Sequence, residues 1–116
     1  MKTLTALFEM DCKIAIYVPS TVNVDCPCDN TDMIEHVIGA LSDLFGGATA
    51  TRAKGCWKDT SSGKLVYEDV TIVYSYCTSS KARCFLEDVV ALCEHVRDKM
   101  GQQAVTLEYN NQIAFI

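Results

Sequence analysis

The chain has 116 residues, 49% of them hydrophobic and 22% charged, which is the composition of one globular domain spanning residues 1–116 with its own core. Fifteen acidic against ten basic residues leave a formal charge of −5, so the chain lacks the clustered Lys and Arg of general nucleic-acid binding. No apolar run reaches the ~18–20 residues of a membrane span, and Glu9 and Asp11 break the N-terminus too early for a signal peptide; a cytoplasmic, non-membrane protein is expected.

Residues 1–11 carry a loose alternation, Thr3-Leu4-Thr5-Ala6-Leu7-Phe8, suited to an edge strand or to an arm reaching a neighbouring subunit. Cys12 to Val18 alternates and is β-branched, which predicts a core strand ended by Pro19, where a ladder donor is lost. Residues 19–30 form a polar connection longer than an ordinary strand-to-helix loop, and therefore a candidate functional surface. At Asp29-Asn30-Thr31-Asp32, short side chains and acids suit the start of a helix. Its stripe of Ile34, Val37, Ile38, Leu41 and Phe45 has the spacing that faces a sheet, and Gly46 fits a left-handed end.

Phe45 to Cys77 is the segment around which the chain is organised. A Gly46-Gly47 break leads to a strand ending near Trp57, a turn over residues 58–64 containing Ser61-Ser62-Gly63, and a β-rich run from Leu65 to Cys77. This predicts a long hairpin. Thr78-Ser79-Ser80 then caps a second, longer helix, whose stripe of Leu86, Val89, Val90, Cys93, Val96 and Met100 stops at Gly101. Residues 104–116 read as two short strands reversed at Asn110-Asn111, because Asn tolerates positive φ. The order β-α-β-β-α-β-β predicts an α+β, ferredoxin-like sandwich with an extra C-terminal strand. Two helices cover one face of an antiparallel sheet, and the strands from Cys12 and Leu65 lie in its middle. Both faces of these strands are partly apolar, so the uncovered face is expected to meet a second copy of the chain, as a homodimer or larger homo-oligomer, or the N-terminal arm.

Seven cysteines occur with no Cys-x-x-Cys, and an odd number cannot all pair within one chain, so reduced thiols are expected. Cys26 and Cys28, flanking Pro27, are the one pair to weigh as soft-metal ligands; their spacing is too short for a zinc motif, and neither metal nor cofactor is expected.

The pattern Phe45-Gly46-Gly47-Ala48-Thr49, Gly55-Cys56-Trp57, Gly63, Glu68 and Tyr74 resembles that of small uncharacterised bacterial and phage or mobile-element proteins. The resemblance covers most of the chain from Ile14 onward. It implies a small ferredoxin-like domain with no established activity and no catalytic residues to carry over.

Signatures of nucleotide hydrolysis, dinucleotide binding and metalloprotease chemistry are absent. Cys93 and His95, two apart on a helix, point to different faces and cannot act as a dyad, and His36 reads as a surface or packing residue of its helix rather than an acid-base catalyst. A conventional enzyme is therefore not expected. Arg52, Lys54, Trp57, Lys58 and Tyr67 remain as candidates for a small anionic ligand such as a nucleotide. Arg52 and Lys54 share one strand face and Trp57 the other, so the plainer expectation is a Trp57 that anchors the core beside solvated basic residues. Two functions follow. The first is a non-enzymatic interaction module, homo-oligomeric, that binds a protein partner. The alternative is a protein that binds or sequesters a small ligand, encoded by a mobile element and acting against host defence.

All seven thiols should react with a thiol reagent after denaturation without reductant, whereas fewer than about five reactive thiols would reveal disulfides.

Overall fold

A computed structural model describes residues 8–22 and 26–116, apart from the side chain of Cys26. Its elements are β1 (Cys12–Pro19), β2 (Thr21–Val22), β3 (Cys26–Pro27), α1 (Thr31–Phe45), β4 (Thr49–Lys58), β5 (Leu65–Cys77), α2 (Ser79–Cys84), α3 (Leu86–Lys99), β6 (Thr106–Tyr109) and β7 (Gln112–Phe115). Five strands form one antiparallel sheet in the order β4-β5-β1-β6-β7. This is the split β-α-β order with β7 added at the edge, the α+β architecture predicted above. No helix among the described residues is long and apolar enough to cross a membrane.

Local chemistry accounts for the element ends. The side chain of Asp29 accepts from the Thr31 N–H at 3.0 Å and the Thr31 hydroxyl at 2.6 Å, so an Asx turn rather than an N-cap side chain starts α1. Gly46 ends α1 at φ 92°, its N–H donating to the Ser42 carbonyl. In the hairpin turn, Asp59 accepts from the Ser61 N–H and from the hydroxyls of Ser61 and Ser62, while Gly63 takes φ 73°. Asn110 adopts φ 57° between β6 and β7, the reversal predicted for it.

The second helical segment differs from expectation. It is broken at Phe85 into α2 and α3, so three helices cover the sheet, and α3 with 14 residues is slightly shorter than α1 with 15. The Phe85 N–H still donates to the Lys81 carbonyl, but its φ of −105° and ψ of 14° leave the helical region and separate α2 from α3. Phe85 meets Phe45 edge-to-face, which ties the break to the end of α1. Thr78 caps α2 by accepting from the Lys81 N–H. Asp11 reinforces this end by accepting from the N–H and hydroxyl of Ser79, and those bonds hold its carboxyl below the ordinary carboxylate range. The expected arm falls mainly on residues 1–7, outside the described residues.

The core lies between the helices and one face of the sheet. Ile14, Ile16 and Val18 of β1, Val73 and Cys77 of β5, Val37 and Leu41 of α1, Val89 and Val96 of α3, and Leu107 of β6 are buried together. Ser75 is the buried polar residue in this layer, and its hydroxyl donates to the Gly47 carbonyl at 2.6 Å, fastening the entry of β4 to β5.

Among the described residues, no helix lies over the opposite face of the sheet. There Lys13 pairs with Glu108 at 3.7 Å and stands 4.8 Å above the Tyr74 ring, while the Tyr17 hydroxyl donates to Glu108 at 3.2 Å. The apolar excess seen on this face of β1 and β5 is thus partly the rings of a polar network. Burial, then the neighbouring Glu108 charge, raises the Tyr17 hydroxyl above its ordinary pKa.

Leu41→Ala should lose about 2–5 kcal/mol of stability, because the removed atoms leave a cavity in the helix-covered core. Phe115→Ala, at a side chain 74% exposed, should change stability by no more than about 0.5 kcal/mol. Urea titration distinguishes the two, and equal effects would contradict this division between core and open face.

Candidate functional site

The lengths of the strands create the cleft. The β1–β5 ladder stops at Pro19 opposite Val70, while the β4–β5 ladder continues to Lys58 opposite Leu65. Lys54–Lys58 and Leu65–Asp69 therefore project beyond β1 as a two-stranded ribbon. Residues directly opposite in an antiparallel pair share a face, so Thr51, Ala53, Gly55 and Trp57 line up with Ile72, Val70, Glu68 and Val66 on the open side. Between this ribbon and the connection from α3 to β6 lies a cleft of about 520 Å³.

Ala53, Val70 and Ile72 form its apolar floor, Tyr17 and Trp57 supply rings, and Glu68 supplies a carboxylate. The far wall runs through Gln102, Ala104 and Thr106. That wall is held in place: Gln102 donates its side-chain amide to the carbonyls of Thr21 and Met100 at 2.9 and 3.1 Å. Gly101 at φ 61° turns the chain out of α3. Among the described residues, Glu68 has no hydrogen bond or ion pair recorded, in contrast to its neighbour Asp69, which pairs with Lys54 at 3.7 Å. A Cβ at Gly55 would stand 3.3 Å from Glu68 Cγ and 3.5 Å from Oε1, so the missing side chain at 55 leaves the carboxylate room to reach into the cleft.

The five residues singled out from sequence are divided by the sheet. Trp57 lines the cleft and is 54% exposed, which corrects the expectation that it anchors the core. Trp57 lies on the part of β4 that extends past the end of β1, away from the buried core between the helices and the sheet. Lys54 borders the cleft, but its charge is engaged by Asp69 on the reverse face. Arg52 lies on that reverse face too, in a shallow depression of about 280 Å³ with Ser20, Asn30 and Asp69. Lys58 and Tyr67 are exposed near the ribbon tip and line neither.

Sequence reasoning missed Tyr17, Glu68 and Gly55 as one group. The available signal was a lone carboxylate, Glu68, in an otherwise apolar alternation of Val66, Val70 and Ile72, facing a glycine across the hairpin.

The loop of residues 19–30 is tied down by the Asn30 side-chain amide, which donates to the Pro19 carbonyl at 2.8 Å, and by the Cys28 N–H donating to Ser20. The Cys28 thiol donates to the Ser20 carbonyl at 3.6 Å; the Cys26 side chain lies outside the described residues. Among those residues, no cluster of three or more His, Cys, Asp or Glu is arranged to hold a metal ion. Cys77 and Cys93 are buried, and burial pushes their thiols up to about 11 and about 12. His36 and His95, weighed separately in the sequence, meet with ring centroids 4.9 Å apart.

No protein-family model matches the chain, and neither does any curated protein. Solved structures do. A phage SAM lyase in complex with S-methyl-5′-thioadenosine matches with a TM-score of 0.67 at 17% identity, over 99% of this chain and 95% of that one. A phage SAM lyase in the apo state matches with a TM-score of 0.69 at the same identity and coverage. At such identity the likeness establishes a shared fold along nearly the whole chain. The phage origin of these neighbours agrees with the kind of small protein that the sequence resembles. It also corrects the leading functional expectation: the neighbours with this fold are enzymes acting on a small molecule, not a non-enzymatic module for a protein partner, and they side with the small-ligand alternative.

Proposed function

We propose that this chain binds S-adenosylmethionine in the open-face cleft and breaks it down. The observation that carries the reading is the pairing, in one cleft, of aromatic rings with a carboxylate that has no cationic partner among the described residues. S-Adenosylmethionine offers a purine and a positively charged sulfonium. Trp57 or Tyr17 suits the purine, because aromatic stacking tolerates any base, and Glu68 suits the cation. The cleft volume lies within the ordinary range for small-molecule sites. The fold shared with a phage SAM lyase that holds S-methyl-5′-thioadenosine adds support.

The chemistry asks little of the protein. Breaking the bond from sulfur to the amino-acid chain sends its electron pair to sulfur and turns the sulfonium into a neutral thioether. A lyase adds no water, so the released carbon is satisfied within its own fragment, by its carboxylate oxygen or by loss of a proton. The protein's tasks are to hold the fragment in a reactive geometry and to limit water. Gly55 leaves Glu68 free to steady the sulfonium, and the apolar floor of Val70 and Ile72 offers a surface for the uncharged part of the ligand beside it. Removal of a metabolite that a host needs would also fit a mobile-element protein acting against host defence.

The test is calorimetry with S-adenosylmethionine, paired with chromatography for S-methyl-5′-thioadenosine. Wild type should give heat and product. Glu68→Gln should bind the cation roughly tenfold or more weakly, and Trp57→Ala should lose about 1–3 kcal/mol of binding. Heat without product would leave sequestration; neither heat nor product from folded wild type removes the proposal.

Self-association through the open sheet face remains part of the reading. It is supported by the exposed Tyr76 toward one side of that face and Ile113 and Phe115 on its other edge, all outside the cleft. Light scattering at micromolar concentration should return a multiple of the 12.8 kDa chain mass. A monomer mass would mean that this face is simply solvated.

A further inference from the structure

The chain contains two histidines, and the fold brings both together. His36 lies on α1 and His95 on α3, with ring centroids 4.9 Å apart and planes inclined by 42°. His36 is exposed and His95 half-buried, so the pair is open to solvent at the seam where the two helices meet. This seam is on the helix-covered side of the sheet, across the sheet from the cleft.

We propose that His36 and His95 form a two-imidazole site for a borderline divalent transition-metal ion of the zinc class. Imidazole nitrogen is a preferred donor for such ions. The separation agrees with shared ligation. With a zinc–nitrogen distance of about 2.0–2.1 Å, each ring centre sits about 3.2 Å from the metal. Two rings then have centres about 4.5 Å apart at a right angle of ligation and about 5.2 Å apart at the tetrahedral angle. The observed 4.9 Å falls between these values. Two rings directed at one ion from separate helices need not be parallel, and a 42° tilt is compatible with shared ligation.

Water completes the coordination, because the described residues provide no third His, Cys, Asp or Glu grouped with the pair. The ion binds at the surface and holds α1 to α3. It has no part in the chemistry of the cleft. A metal bound to the folded chain alone stabilises it by mass action, so free metal at 100 times its dissociation constant should raise the folded-to-unfolded ratio about 100-fold.

The probe is Zn2+, added to the full chain and followed through histidine ring resonances. Two histidines give two patterns, and metal taken up by cysteines leaves both unmoved. Both patterns should shift together, saturate at one equivalent, and be accompanied by a higher melting temperature. In His95→Asn, the His36 pattern should lose its response at the same Zn2+ concentration. The exposed His36→Asn variant gives the reciprocal result and decides the matter alone should His95→Asn fail to fold. Two patterns unmoved at tenfold excess, or one that responds unchanged when the other histidine is removed, would overturn the site.

Discussion

Pro19 ends the β1 ladder opposite Val70, while β5 runs on for five more residues. From this mismatch the shape of the molecule follows. Proline cannot donate to the next ladder bond, so β1 stops, and nothing replaces it beside Leu65–Asp69. The β4–β5 ribbon beyond that point rests on its own cross-strand pairs and on the Asp59 turn. An isolated two-stranded ribbon is marginal in water, and here it is continuous with a five-stranded sheet that anchors its base. The molecule is correspondingly long, 50 × 32 × 21 Å, and exposes Trp57, Leu65 and Tyr67 along the ribbon.

The two faces of the sheet do different work. Under the helices, alternate residues of β1, β5 and β6 are apolar and nearly all fully buried, and Ser75 is satisfied by the Gly47 carbonyl. On the other side, the same strands place Lys13, Tyr17, Tyr74 and Glu108 in a connected group, so long side chains cover the sheet where helices do not. That group fills the middle of the open face. The cleft is displaced toward the ribbon, where small residues at Ala53 and Gly55 leave space. A ferredoxin-like sheet hosts many unrelated activities, so the reading of this one rests on which side chains surround that space, and the likeness to the phage enzymes adds to it without replacing it.

Much of the fold was legible in the order of residues. Alternation gave β1 and β5, three-and-four spacing gave α1 with the bounds observed, and Gly46, Gly63 and Asn110 take the positive φ expected of them. These features are local: each depends on neighbours within about one turn of helix or one pair of strand residues. The break at Phe85 was not legible, because Leu86 to Met100 continues a helical period, and the ring contact that accompanies the break joins Phe85 to Phe45, forty residues away.

By itself, the sequence determined the long strands β1, β4 and β5, the helix α1 and the C-terminal reversal, and which face of α1 is apolar; the short β2 and β3 within the connection of residues 19–30 were not legible. Only the tertiary structure decided that Tyr17, Trp57 and Glu68 share a cleft, that Arg52 and Lys54 belong mainly to the reverse face, and that His36 meets His95. The physical reason is that period and propensity act along the chain, whereas a site is made by register and packing between strands and helices far apart in it. The stopping point of β1 against β5 appears in neither strand alone, and that stopping point opens the cleft.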